Sequence, residues 1–211
     1  MYVLGDIELD QGDLTTAEEN YQTGLRLATQ IGDKPTVALG RLSLGGLRLQ
    51  AGRAAEAEVL TRQAAEEFNA QGFKDAESSA RNRVAFALLD LGRVTDAAKE
   101  MDLINQLKPQ DPTITLAVAI TAGRIQMRSG KLAAGERELD AVASEAKRLG
   151  IPGLQFEARL AQGEVALFGG DKRTALSLLS ILQKDAAKRG FRQIEVRARA
   201  VARQISASTA G

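Results

Sequence analysis

The sequence predicts an all-α chain, a solenoid of about five helical hairpins closed by a C-terminal capping helix. Three observations carry that expectation. Glycines recur with a period of about forty residues. The segments between them place apolar residues at helical spacing, and no stretch of useful length alternates with period two. The 211 residues are rich in Ala and Leu, with 4% aromatics, no Trp and four prolines, which suits helices packed through small and branched side chains.

The repeat is read from the glycines that end a periodic segment and precede a polar residue. They are Gly12, Gly52, Gly92, Gly130 and Gly170, spaced 40, 40, 38 and 40 residues apart. A second set, Gly32, Gly72, Gly150 and Gly190, follows about twenty residues behind. Its missing member falls at Lys108-Pro109-Gln110-Asp111-Pro112, where proline breaks the helix instead. The hairpins are therefore expected near 1–32, 34–72, 74–108, 112–150 and 152–190, with the cap helix at 191–206 and a frayed tail at 206–211.

Each element has its own signal. The second helix of hairpin two carries Ala57, Leu60, Ala64, Ala65 and Phe68 on one face; hairpin five repeats this with Ala175, Leu178, Leu179, Leu182 and Ala186. Gly72-Phe73, Gly150-Ile151 and Gly190-Phe191 place a left-handed residue at a helix end and an apolar residue after it to fold back on the last turn. Asp111-Pro112 supplies a capping acceptor and a first-turn proline, and Asp33-Lys34-Pro35 is a looser version. About eleven residues precede Gly12, fewer than the matching segments elsewhere, and no polar cap protects that end. The chain is therefore expected to be a piece of a larger protein.

Leu4-Gly5, Gly12-Asp13-Leu14-Thr15-Thr16-Ala17, Tyr21 and Gly24-Leu25 resemble a tetratricopeptide repeat (TPR). Matching small residues stand at Gly45 and Ala57, Ala85 and Ala97, Gly123 and Gly135, Gly163 and Ala175. They would let paired helices approach closely, while Tyr21 fills the gap to the next unit. The usual first-helix aromatic is Glu8 here, and the period exceeds the family's thirty-four residues. The resemblance implies a right-handed α-solenoid of TPR-like hairpins whose first helices line a concave binding face. More narrowly, Ala158 to Val165, Gly169-Gly170 and Asp185 to Phe191 resemble the end of long bacterial TPR arrays that follow serine/threonine kinase or winged-helix domains.

Composition excludes much chemistry. With no Cys and no His, thiolate and imidazole catalysis and the commonest zinc and copper sites are removed. Adjacent acids such as Glu18-Glu19 and Glu66-Glu67 diverge on a helix and cannot flank one bond. The chain is not expected to be an enzyme or to need a cofactor or metal. Net charge is +1, split as −6 over residues 1–107 and +7 over 108–211. The arginines between Lys184 and Arg203 lack aromatic interleaving beyond Phe191, so nucleic acid is not an expected partner. No apolar run approaches the ~18 residues of a membrane span, so no membrane insertion is expected. A cytoplasmic location is the expectation, with an extracytoplasmic domain of a membrane-anchored parent as the alternative.

Carrying the repeat's concave positions onto this sequence gives a candidate groove: Asp6 and Asp10 (with Tyr2); Leu42 and Gln50 (with Leu39 and Gly46); Asn82, Phe86 and Asp90 (with Ser79); Ile120, Arg124 and Arg128 (with Ala117); Leu160, Glu164 and Phe168 (with Glu157). Arg124 and Arg128 lie one turn apart and suit a carboxylate or phosphate, with Phe86 as an apolar anchor. The alternative is that neighbouring acids already pair the two arginines. The resulting expectation is a protein- or peptide-binding module of a larger bacterial signalling or regulatory protein. Self-association of the parent as a homo-oligomer is the alternative.

Overall fold

The computed structural model describes residues 1–207, except for the side chains of Asp10, Ser206 and Ala207. The expected frayed end at 208–211 lies outside the described residues. Eleven helices and no strand occur among them: α1 (Tyr2–Gln11), α2 (Leu14–Ile31), α3 (Lys34–Gln50), α4 (Ala54–Ala70), α5 (Lys74–Asp90), α6 (Val94–Leu107), α7 (Pro112–Arg128), α8 (Leu132–Arg148), α9 (Pro152–Phe168), α10 (Lys172–Lys188) and α11 (Arg192–Ala207). The fold is a TPR-like α-solenoid of consecutively packed helices. Two compact units, residues 1–118 and 119–211, make it up.

Helix ends follow from backbone physics. At Gly72 the chain turns left-handed (φ 74°), the Phe73 N–H donates to the Phe68 carbonyl and the Gly72 N–H to that of Asn69. This is the reciprocal pair that satisfies orphan carbonyls at a helix end. The same handedness recurs at the other eight turn glycines. The turn without a glycine is solved differently from expectation. Proline does not stand in for it; Lys108 itself takes the left-handed position (φ 54°, ψ 64°), and Pro109 follows.

Helix starts use a four-residue pattern. Asp13 accepts from the Thr16 N–H at 3.0 Å and the Thr16 hydroxyl at 2.7 Å. Asp33 does the same with Thr36, and Asp171 accepts from the Thr174 N–H at 3.0 Å. Asp111 accepts from the N–H groups of Thr113 and Ile114. Each carboxylate quenches donors that the first turn leaves unpaired.

Within a hairpin, close approach depends on small residues. Ala17, Ala57, Ala97 and Ala175 are fully buried. A Cβ on Gly163 would meet Leu179 at 2.8 Å, and one on Gly135 would meet the Gly123 carbonyl at 2.8 Å. Tyr21 lies over Gly5, where a Cβ would collide with its ring, and it packs with Leu44 and Leu47 of the next hairpin. In unit 1, ion pairs tie the hairpins together: Glu18 to Arg48, and a chain running from Glu58 through Arg62, Glu100 and Arg81 to Glu77.

Contacts between alternate helices reveal each unit's curvature. Helix α1 touches α3 and α3 touches α5; in unit 2, α9 touches α11. Second helices of neighbouring hairpins stand further apart among the described residues and meet through long side chains, as in the Arg62–Glu100 ion pair between α4 and α6. Each unit therefore bends with its first helices on the inner side.

Two predictions follow from these helix ends. Lys108→Gly removes a left-handed strain worth on the order of 1 kcal/mol, so the denaturation midpoint rises. A fall would mean that the Lys108 side chain contributes more than the strain removes. The second concerns acid. Hydrogen bonds hold three cap carboxyls below the ordinary aspartate value of 3.8: from the Thr16 side chain at Asp13, the Thr113 backbone at Asp111 and the Thr174 backbone at Asp171. A depressed folded pKa gives stability that is present above the unfolded value and lost as pH falls through the folded one. Thermal melts therefore fall below about pH 4, and Asn at all three positions makes that acid limb shallower. An unchanged limb refutes the assignment.

Candidate functional site

The candidate positions divide between core and inner face. Leu42 (6% exposed) packs with Ala38, Ala64, Phe68 and Ala80. Leu160 (0%) belongs to the core around Phe156, Leu179 and Leu182. Ile120 is also buried. These three are corrected from groove to core, because burial of an apolar side chain at a helix contact wins over its register on the repeat. Asp10's side chain lies outside the described residues.

In unit 1, Asp6 is exposed and accepts the Tyr21 hydroxyl at 2.6 Å. Gln50 and Asp90 are exposed at the last positions of α3 and α5, and Phe86 is half-buried. Asn82 is half-buried, and its Oδ1 is shielded with no hydrogen-bond partner. The residue beside it, Arg83, was not among the sequence candidates. Its guanidinium lies over Gly46 of α3, where any Cβ would collide with Nη1. Burial pushes this guanidinium below the ordinary arginine value, against the opposing fields of Tyr21 and Asp6. A signal existed: Gly46 is a second glycine beside Gly45, which alone serves the α3–α4 contact against Thr61.

In unit 2 the two arginines part company. Arg124 is 6% exposed; its Nε donates to Glu164 Oε2 at 2.8 Å, and its Nη2 stands 3.8 Å from Glu157. Glu157 in turn pairs with Arg197 of α11. These contacts form a charge ladder from α7 through α9 to α11, so Arg124, Glu164 and Glu157 brace hairpins. Arg128 is exposed, with its guanidinium carbon 5.9 Å from the ring centroid of Phe168, itself 51% exposed.

A cleft of about 490 Å³ opens at the α8–α9 turn, lined by Lys147, Phe156, Arg159, Asp185, Lys188 and Arg189 among others. Arg159 and Arg189 each stand 5.6 Å from the Phe156 centroid, and Phe191 meets that ring edge-on at 5.0 Å. Arg159 is engaged by Asp185 at 2.8 Å. The Arg41–Glu67 pair has the same sequence separation, which marks this bridge as a brace of the repeat. Among the described residues no carboxylate group is arranged to hold a metal ion, and no helix is long and apolar enough to cross a membrane.

Comparison with known proteins gives a consistent picture. The tetratricopeptide repeat family model matches residues 2–72. No curated protein matches. The solved structures of similar fold include the nearly identical TPR-like repeats of a putative kinesin light chain from Podosopora anserina. One is 16% identical with a TM-score of 0.56, over 89% of this chain and 94% of that one. A single-site variant of the same repeats gives 16% and 0.57, over 89% and 93%. At that identity the likeness shows the fold: these are TPR-type helical repeats.

The ladder sets the response to substitution. Arg124→Gln takes the ion-pair partner from partly buried Glu164, leaves Glu157 to Arg197 alone, and lowers stability by about 2–3 kcal/mol. Arg128→Gln removes one exposed cation–π contact worth roughly 0.5 kcal/mol. Urea denaturation of the two single variants measures both. Equal losses would mean that the ladder does not govern unit 2.

Proposed function

We propose that this chain is a non-catalytic protein- or peptide-binding scaffold whose ligand lies along the first helices of unit 1. Tetratricopeptide repeats generally mediate protein–protein interactions and generally lack catalytic activity. One observation carries the placement. First helices of neighbouring hairpins approach closely through their backbones, whereas second helices meet through long side chains such as Arg62 and Glu100, so the register Asp6, Gly46 and Phe86 falls on an inner face. The close contact within a hairpin is made by the adjacent small residues Gly5, Gly45 and Ala85, to which Asp6 adds a hydrogen bond from the Tyr21 hydroxyl of α2. Repeat proteins use such concave surfaces for extended partners.

The parent is proposed to be a bacterial signalling or regulatory protein, on the resemblance of residues 158–191. Self-association is the second reading. It is favoured by the apolar side chains that α1 leaves exposed, Val3 (72%), Leu4 (49%) and Ile7 (46%), with a second copy of the chain as their cover. Light scattering over a concentration series separates the two readings, because only the second requires the mass to rise.

The binding reading is tested with a peptide selected on the immobilised chain from a random library. Phe86→Ala weakens it about tenfold or more, because aromatic anchors dominate interfaces. Lys74→Ala, at an exposed position, changes it little. Equal effects, with unchanged melts, would place the ligand on another face.

A further inference from the structure

We propose that Arg83 receives a side-chain carboxylate of the bound partner, an Asp or Glu laid against the inner face of unit 1 above Gly46. The proposal rests on the binding reading above and adds the chemistry that the face selects.

Among the described residues most arginines of the first helices pair with a carboxylate, and those that do not, such as Arg128, are exposed, with one exception. Arg41 is paired with Glu67, Arg48 with Glu18 and Glu56, Arg81 with Glu77 and Glu100, Arg124 with Glu164, Arg159 with Asp185, Arg197 with Glu157 and Arg199 with Glu195. Arg83 has no carboxylate within ion-pair distance and no hydrogen bond among the described residues. Its guanidinium stays charged at any physiological pH. A charged group held among protein atoms without a counter-ion is costly, and Arg83 keeps only part of its surface in solvent.

The surroundings keep the group available. Gly46 offers bare helix backbone where a side chain would push the guanidinium away. Asp6 acts on the guanidinium through its field, but that carboxylate accepts the Tyr21 hydroxyl at 2.6 Å and makes no ion pair with Arg83. The fork of five N–H donors suits a carboxylate better than any neutral acceptor. Asp6 repels a second acid on the α1 side, so the pair sets register: an acidic residue against α5, a neutral or basic one against α1. The face continues to both sides of Arg83, toward Asp6 and toward Phe86. A chain therefore runs past the arginine, which points to a side-chain carboxylate over a terminal one.

The probe is the library-selected peptide, labelled and titrated against the full chain by fluorescence anisotropy. The expected binders share one Asp or Glu. Changing it to Asn or Gln weakens binding about tenfold, while amidating the C-terminus does not. Arg83→Gln weakens the acidic peptide by the same factor, and the two changes together weaken it no further, as coupled partners require. The salt dependence of binding flattens with either change. If Arg83→Gln keeps the wild-type melt and still prefers the acidic peptide over its amide form, the proposal is overturned. Should that variant fail to fold, Arg83→Lys and the wild-type chain decide, through the acidic-to-amide affinity ratio: a ratio near one in wild type overturns it. Binders without any acid overturn it too, while leaving the scaffold reading intact. A library that yields no binder at all removes the scaffold reading and this inference with it.

Discussion

Everything in this fold depends on how closely two helices of a hairpin can approach. The constraint is met by a three-residue lock repeated along the chain. A small residue on the first helix (Gly5, Gly45, Gly123, Gly163) faces a small residue on the second (Ala17, Ala57, Gly135, Ala175), and the side chain four positions further on lies over the first (Tyr21, Thr61, Leu139, Leu179). All four of those covering residues are fully buried. A Cβ on one of these glycines meets atoms at or inside 3 Å, so the lock tolerates little enlargement on the first helix. Polar punctuation then fixes where each helix starts and stops, through Asp caps and left-handed turn residues.

Once the lock sets the spacing, the arginines sort by what lies within reach. In unit 2 the inner register holds Arg124 and Glu164, opposite charges on neighbouring first helices, and they neutralise one another. In unit 1 the same register holds Asp6, Gly46 and Phe86. Glycine cannot pair with anything, and the vacancy above it is taken by a cation from the next helix. The two units thus use the same positions differently. At this register unit 2 braces itself with an ion pair, while unit 1 leaves a guanidinium over Gly46 without a carboxylate partner among the described residues.

Much of the fold was legible because helix periodicity, turn glycines and small-residue pairs are local or strictly periodic signals. The Asp-x-x-Thr starts at Asp13, Asp33 and Asp171 are also present in the sequence, but only Asp33, with Pro35 after it, reads there as a capping acceptor; Asp13 and Asp171 read only as polar residues after glycine. The site was far less legible. Register alone put Leu42, Ile120 and Leu160 on the groove, whereas burial places them in the core. Register also paired Arg124 with Arg128; what separates them is an acid forty residues away, and ion pairing over such a distance has no local signature. Arg83 was missed for a related reason. Its own position was not counted as concave, and only the reach of a long side chain across Gly46 brings it there.

The pattern of what varies between repeats is itself an argument about function. The lock positions stay small in every hairpin: Gly5, Gly45, Ala85, Gly123 and Gly163. The next residue along reads Asp6, Gly46, Phe86, Arg124 and Glu164: acid, nothing, aromatic, base, acid. If that register served packing alone, the same geometric demand would recur at each repeat and select similar volumes, as it does one residue earlier. It does not: no single packing demand fixes what stands there, and each repeat uses the position in its own way, as the Arg124–Glu164 brace of unit 2 shows. A position that is free to differ from repeat to repeat, on the inner side of the first helices of unit 1, is where a repeat scaffold can hold partner-specific chemistry.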